Sequence, residues 1–99
     1  MSFSTHVLNA VTGRPAAGVL VRLEHGGRVL AEGRTDDDGR IKGWDPEAGV
    51  NRVVFDTGGY LGETFYPEVV IAFTVTDPSA HHHVPLLLSP YAYSTYRGS

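Results

Sequence analysis

The side chains able to do acid–base work gather near one end of the chain. His81, His82 and His83 stand in a row and open the stretch HHHVPLLLSPYAYSTYRGS, which also holds three of the five tyrosines and Arg97. A polar terminal segment normally frays. Here polar and apolar residues alternate as they do in strands, so the polar groups are expected to be held in place. In a strand His81 and His83 face one way and His82 the other. Two same-face imidazoles joined by a third from another strand could hold zinc. No carboxylate stands at a helpful spacing, however, and apolar residues follow, which makes a metal site the weaker reading. His25, His81 and His82 read as surface or rim residues. His6 sits mid-strand on a face with Leu8 and Ala10, where a satisfied, partly buried histidine is the ordinary expectation. In the final strand Tyr91, Tyr93, Thr95 and Arg97 share one face, and Ala92, Ser94, Tyr96 and Gly98 the other. From pattern alone, such tyrosines indicate a subunit contact, because the ring buries area while its hydroxyl stays bonded.

The elements that must position these groups read as strands. Ser4 to Val11 alternates, with Thr5, Val7, Asn9 and Val11 opposite His6, Leu8 and Ala10. Thr12 to Pro15 is a turn cluster. Gly18 to His25 and Arg28 to Thr35 form a hairpin around Gly26-Gly27. Asp36-Asp37-Asp38-Gly39 is a turn; its acids lack the spaced ligands and closing glutamate of a calcium loop, so a solvated turn is the stronger reading. Arg40 to Trp44 reads as a short strand, Val50 to Asp56 as another. Thr57 to Gly62 is too rich in glycine for more than one helical turn. Phe65 to Thr76 is the clearest strand, with Val69, Ile71, Phe73 and Val75 facing inward. His81 to Leu88 and Tyr91 to Gly98 follow, separated by Ser89-Pro90. Seven or eight short strands with frequent turns predict an all-β, two-sheet β-sandwich with at most one short helix.

Bulk properties narrow the function. The 99 residues fit one domain spanning residues 1–99, with net charge −3 and a pI near 5.9, which does not suit a nucleic-acid partner. No cysteine is present, so a thiolate nucleophile and a cysteine zinc site are excluded. No apolar run approaches the roughly 20 residues needed to span a bilayer, and the opening MSFSTHVLNAV lacks a signal peptide's basic region. A cytoplasmic protein without a membrane partner is the expectation. So small a domain leaves little room for a deep pocket, which a site between subunits would supply.

The string from His83 to Ser99 resembles the C-terminal signature of the 5-hydroxyisourate hydrolase family, the transthyretin-related enzymes of urate breakdown. Thr5-His6-Val7-Leu8-Asn9 with Gly13-Arg14-Pro15-Ala16 is similar to the family's N-terminal motif. Thr35-Asp36 through Asp38-Gly39-Arg40 is similar to its central motif, and Phe65 to Val69 to its long-strand motif. The Tyr-Arg-Gly-Ser ending is the specific part, since it separates the hydrolases from the hormone-carrying transthyretins. The resemblance implies a transthyretin-like sandwich, a homotetramer with sites at the dimer–dimer interface, and 5-hydroxyisourate as the small-molecule substrate. No cofactor or metal is needed for so activated a substrate. It places catalytic groups on His6, Arg40 and His83, and substrate contacts on His6, Arg40, Tyr96, Arg97, Gly98 and Ser99, the last with a terminal carboxylate. Either histidine could be the base. The chain departs from the family pattern at Asn9 (commonly aspartate), His82 (commonly tyrosine), Ala92 (commonly glycine) and in a short 58–64 loop. The competing reading is a non-enzymatic, transthyretin-like carrier of a small ligand, against which the polar set His6, Arg40, His83 and Tyr96 speaks.

Overall fold

A computed structural model describes residues 2–99. Its strands are β1 (Phe3–Asn9), β2 (Arg14–Pro15), β3 (Leu20–His25), β4 (Arg28–Arg34), β5 (Arg40–Trp44) and β6 (Gly49–Phe55). A helix α1 (Thr57–Leu61) leads to β7 (Val69–Val75), β8 (His82–His83), β9 (Leu86–Ser89) and β10 (Ala92–Thr95). Two sheets face each other. One runs β4-β3-β6-β7; the other runs β10-β9-β1-β2, with β5 and β8 also paired to β1. This is the expected two-sheet sandwich with one short helix.

Period-two alternation decides which side of β1 is buried. Phe3, Thr5, Val7 and Asn9 point into the core; Ser4, His6 and Leu8 lie half-buried on the outer face. Phe3, Val7, Val19, Val21, Leu23, Val53, Phe55, Val69, Leu86 and Leu88 are fully buried, each contributing on the order of 1.5–3 kcal/mol. Phe3 stacks on both Trp44 and Phe73, tying the sheets together at the end where the histidines lie. Thr35 fastens the other end: its hydroxyl donates to the Ala16 carbonyl and accepts from the Val19 N–H.

Several boundaries differ from the sequence reading. The expected His81–Leu88 strand is interrupted at Pro85, which has no N–H to give a ladder. Both pieces keep one register on β1, Phe3 opposite His82 and Val7 opposite Leu86. Arg14-Pro15, expected within a turn, pairs with Leu8 and Asn9. The long strand begins at Val69 rather than Phe65, after Pro67. Asn9 serves where aspartate is common: its carbonyl accepts from the Val11 and Thr12 N–H groups, and its amide donates to Tyr60, which a carboxylate could not do. The short glycine-rich loop still forms α1. The Asp56 carboxylate caps it at Gly59, and Gly62, at φ 76°, ends it.

His82 corrects a prediction. It was expected at the rim, yet it is only 8% exposed, packs against Phe73, and its Nδ1 has no hydrogen-bond partner among the described residues. The pairing with Phe3 fixes its side on the core face; alternation sets it opposite His81 and His83, but three polar residues do not show which side is buried.

Gly39 joins the turn after β4 to the centre of the other sheet. Its carbonyl accepts the Val7 N–H, it sits at φ 76°, and a Cβ there would overlap the Val7 carbonyl oxygen. Gly13 has a similar φ of 73° but open space around it. Gly13→Ala is therefore expected to cost about 1 kcal/mol from the left-handed backbone alone, and Gly39→Ala roughly 3 kcal/mol or more. Urea unfolding of the two variants checks this; equal losses would mean that the overlap is relieved without cost.

Candidate active site

Three neighbouring strands bring the candidate groups together on the outer face of one sheet. β5 runs antiparallel to β1 with His6 opposite Arg40. β8 runs parallel on the other side with Ser4 opposite His83. Ser4 and His6, two residues apart, project the same way, so Arg40, His6, Ser4 and His83 form one row across three strands. Beyond β8 the chain returns after β10, and Gly98 bridges back to His83 through a 2.9 Å bond from its N–H to the His83 carbonyl.

Local chemistry fixes each member. Arg40 is aimed by the turn before it: the Asp36 carboxylate accepts the N–H groups of Asp38 and Arg40, both at 2.9 Å. These bonds, Arg40's first, hold the Asp36 carboxyl below its ordinary range. The acidic run thus builds a turn that delivers an arginine, in keeping with the sequence reading. His83 is half-buried, and its Nδ1 lies 2.7 Å from the Ser4 hydroxyl oxygen. The same oxygen lies 3.0 Å from Nε2 of His81, whose ring stacks on that of His83. Sequence reasoning missed Ser4, although its spacing from His6 already placed it on the same face.

Burial is the main cause that lowers the His83 pKa below the usual imidazole value. The positive charges of His81, Arg40 and His6 push the same way, while a hydrogen bond at Ser4 opposes them. Burial and the permanent guanidinium charge thus favour the neutral form of this half-buried imidazole, which has a lone pair to accept a proton. The Arg40 guanidinium offers permanently charged, planar donors on the same face.

The remaining predicted residues separate into two groups. Tyr96 and Arg97 line a cleft of about 310 Å³ together with His83, His82, Phe73 and Ile71. His6 and Arg40 stand outside it, on the open sheet face. Gly98 touches His83; Ser99 follows it and is exposed. His81 and His83 do come together, but the group between them is a serine hydroxyl. Among the described residues no three His, Cys, Asp or Glu side chains converge on a metal-sized site.

The fold and this row of groups define a transthyretin-like sandwich bearing a polar imidazole–guanidinium face. The family model described as the HIUase/Transthyretin family matches residues 3–98, and the chain belongs to that family. It is 48% identical over 108 residues to the 5-hydroxyisourate hydrolase of Salmonella dublin, covering 97% of this chain and 79% of the relative. The solved structure of Klebsiella pneumoniae 5-hydroxyisourate hydrolase matches with a TM-score of 0.92 at 36% identity over the whole of both chains. Transthyretin from Sparus aurata matches with a TM-score of 0.88 at 31% identity, over 98% of this chain and 96% of its own.

Gly98 has no side chain because the His83 ring occupies that space: a Cβ would fall within the van der Waals shell of Cδ2. Gly98→Ala is expected to move the His83 ring resonances and its titration midpoint while unfolding free energy stays within about 0.5 kcal/mol. NMR titration beside a urea melt reads both; an unmoved His83 would show that the tail does not confine the ring.

Proposed function

We propose that this chain hydrolyses 5-hydroxyisourate to 2-oxo-4-hydroxy-4-carboxy-5-ureidoimidazoline in urate degradation. The observation that carries the reading is the His6–Arg40 and Ser4–His83 pairing across β1, which unites two imidazoles and a guanidinium from distant parts of the chain. The names borne by close relatives supply the substrate.

The reaction adds water across an acyl–nitrogen bond of an already activated ring, so it needs a base, an oxyanion partner and an acid for the leaving nitrogen. His83, its neutral form favoured by burial and by the Arg40 charge, takes the proton from the attacking water at Nε2. Arg40 stabilises the oxyanion with charge already in place. His6, paired with Arg40, orients the water or protonates the leaving nitrogen. Tyr96, Arg97, Gly98 and Ser99 hold the flat heterocycle, Tyr96 through its ring face and hydroxyl.

A face open to solvent does not exclude water or enclose a ligand. A homotetramer that lays one such face against another would close it, with sites at the dimer–dimer interface. Tyr91 and Tyr96, 81% and 61% exposed, supply aromatic surface for subunit contact. Among the described residues no helix is long and apolar enough to cross a membrane; a cytoplasmic location is part of the proposal. The mass in solution tests the assembly.

The decisive assay follows the ultraviolet decay of freshly made 5-hydroxyisourate against a protein-free control, with and without chelator. Acceleration that survives chelator is expected; no acceleration favours a carrier, and loss with chelator a metal-dependent reaction. His6→Asn and His83→Asn should each lower kcat/KM by about 10²- to 10⁴-fold, and Arg40→Lys by about 10²- to 10³-fold.

The pH profile follows from the direction of the His83 shift. A base must be unprotonated, so kcat/KM falls as pH drops through the free-enzyme pKa. That pKa is lowered from 6.5, so the acid limb is expected below pH 6.5. A limb at or above that value, or a rate flat to pH 5, would remove His83 as the base.

A further inference from the structure

The Ser4 hydroxyl oxygen lies between two imidazoles, 2.7 Å from Nδ1 of His83 and 3.0 Å from Nε2 of His81. A serine hydroxyl has one proton and two lone pairs, so it can donate to at most one of the rings and at least one ring must donate to it. The tautomers of His81 and His83 are therefore linked. Either His83 donates from Nδ1 to Ser4 and Ser4 donates on to His81, or the direction runs the other way throughout, or both rings donate to Ser4 and its proton turns away from them. Nε2 of His83, the nitrogen that Ser4 does not occupy, is bare whenever Nδ1 donates to Ser4, and only the first arrangement also gives the Ser4 proton an acceptor in His81.

We propose that Ser4 and His81 are positioning residues that lock His83 in its Nδ1–H tautomer and so make Nε2 the basic nitrogen. This rests on the reading of His83 as the base. Ser4 takes the place that a carboxylate takes behind the histidine of a serine-protease triad, but it is neutral. A carboxylate there would favour the imidazolium. The hydroxyl orients the ring without adding charge, so burial and the permanent charge of Arg40 on β5 still hold it neutral; His81, just before β8, and His6 on β1 would push the same way only when protonated. When Nε2 takes a proton, the Nδ1–H bond to Ser4 persists and neither partner has to move. His81 completes the chain: its bare Nε2 accepts the Ser4 proton, and its stacked ring limits rotation of His83.

The test is nitrogen-15 NMR of histidine-labelled protein beside steady-state kinetics on freshly made 5-hydroxyisourate. Wild-type His83 should show the Nδ1–H tautomer. Ser4→Ala should convert it largely to the Nε2–H form that free imidazole side chains prefer, lowering kcat about tenfold with KM little changed. Ser4→Thr, which keeps the hydroxyl on a β-strand, should restore both tautomer and rate. His81→Phe, which keeps a stacking ring but no acceptor, should give a mixture of tautomers and an intermediate kcat. A wild-type His83 in the Nε2–H form overturns the proposal, as does a Ser4→Ala protein with tautomer and kcat unchanged. A protein that turns over no substrate but still shows the Ser4-dependent tautomer would remove the hydrolase reading and uphold the hydrogen-bond assignment.

Discussion

The pairing of β1 with strands on both sides is the constraint from which the site follows. β5 approaches antiparallel and β8 parallel, each held by main-chain bonds that do not depend on what the outer face carries. The register of those ladders is fixed from below. Phe3, Thr5 and Val7 must face the core, and a slip of one residue would turn every outer side chain inward. Positions 4 and 6 are thereby committed to the outside. Thr5 reinforces the register, its hydroxyl donating to the Val84 carbonyl across the β1–β8 seam. The arrangement of side chains on this face is thus a by-product of core packing on the other.

Much of this was legible in the sequence because it is written with a period of two. The two alternating faces of β1 and β3, the inward row of β7, the Gly26-Gly27 hairpin and the turn before Arg40 all follow from alternation and turn chemistry, while which face of β1 turns inward does not. The row of outer groups was less legible, because its members lie in three segments and meet only through strand pairing. The family motifs located His6, Arg40 and His83, while nothing in their spacing could show that Arg40 stands opposite His6 or that His83 stands opposite Ser4. Ser4 itself was overlooked for a simple physical reason: a lone serine at a strand start carries no distinctive pattern, and its value comes from neighbours that arrive from the far end of the chain.

His82 shows the complementary failure. Alternation sets the middle of three consecutive histidines opposite its neighbours, but three polar residues do not say which side is the core, and His82 faces it. It packs against Phe73 with one ring nitrogen unpartnered, and a buried unpaired polar atom costs on the order of 1–3 kcal/mol. The chain tolerates this at the position that separates His81 from His83. Flanked on both sides by outward imidazoles, the central residue has no freedom to face outward unless the register that brings His83 to Ser4 is given up.

The same reasoning explains how one sandwich serves proteins with different tasks. A core-facing row is constrained by volume, so substitutions there are felt throughout the domain. The outer face of β1, β5 and β8 is constrained only by the ladder, which every residue except proline can join. Aliphatic side chains at positions 4, 6, 40 and 83 would keep the main-chain bonds and give an apolar channel wall. Here those positions carry a hydroxyl, two imidazoles and a guanidinium, and Gly98 gives way to the ring of one of them. The fold therefore leaves this face free to vary in chemistry, and the tail after β10 meets it at one of those side chains, where Gly98 bridges back to His83.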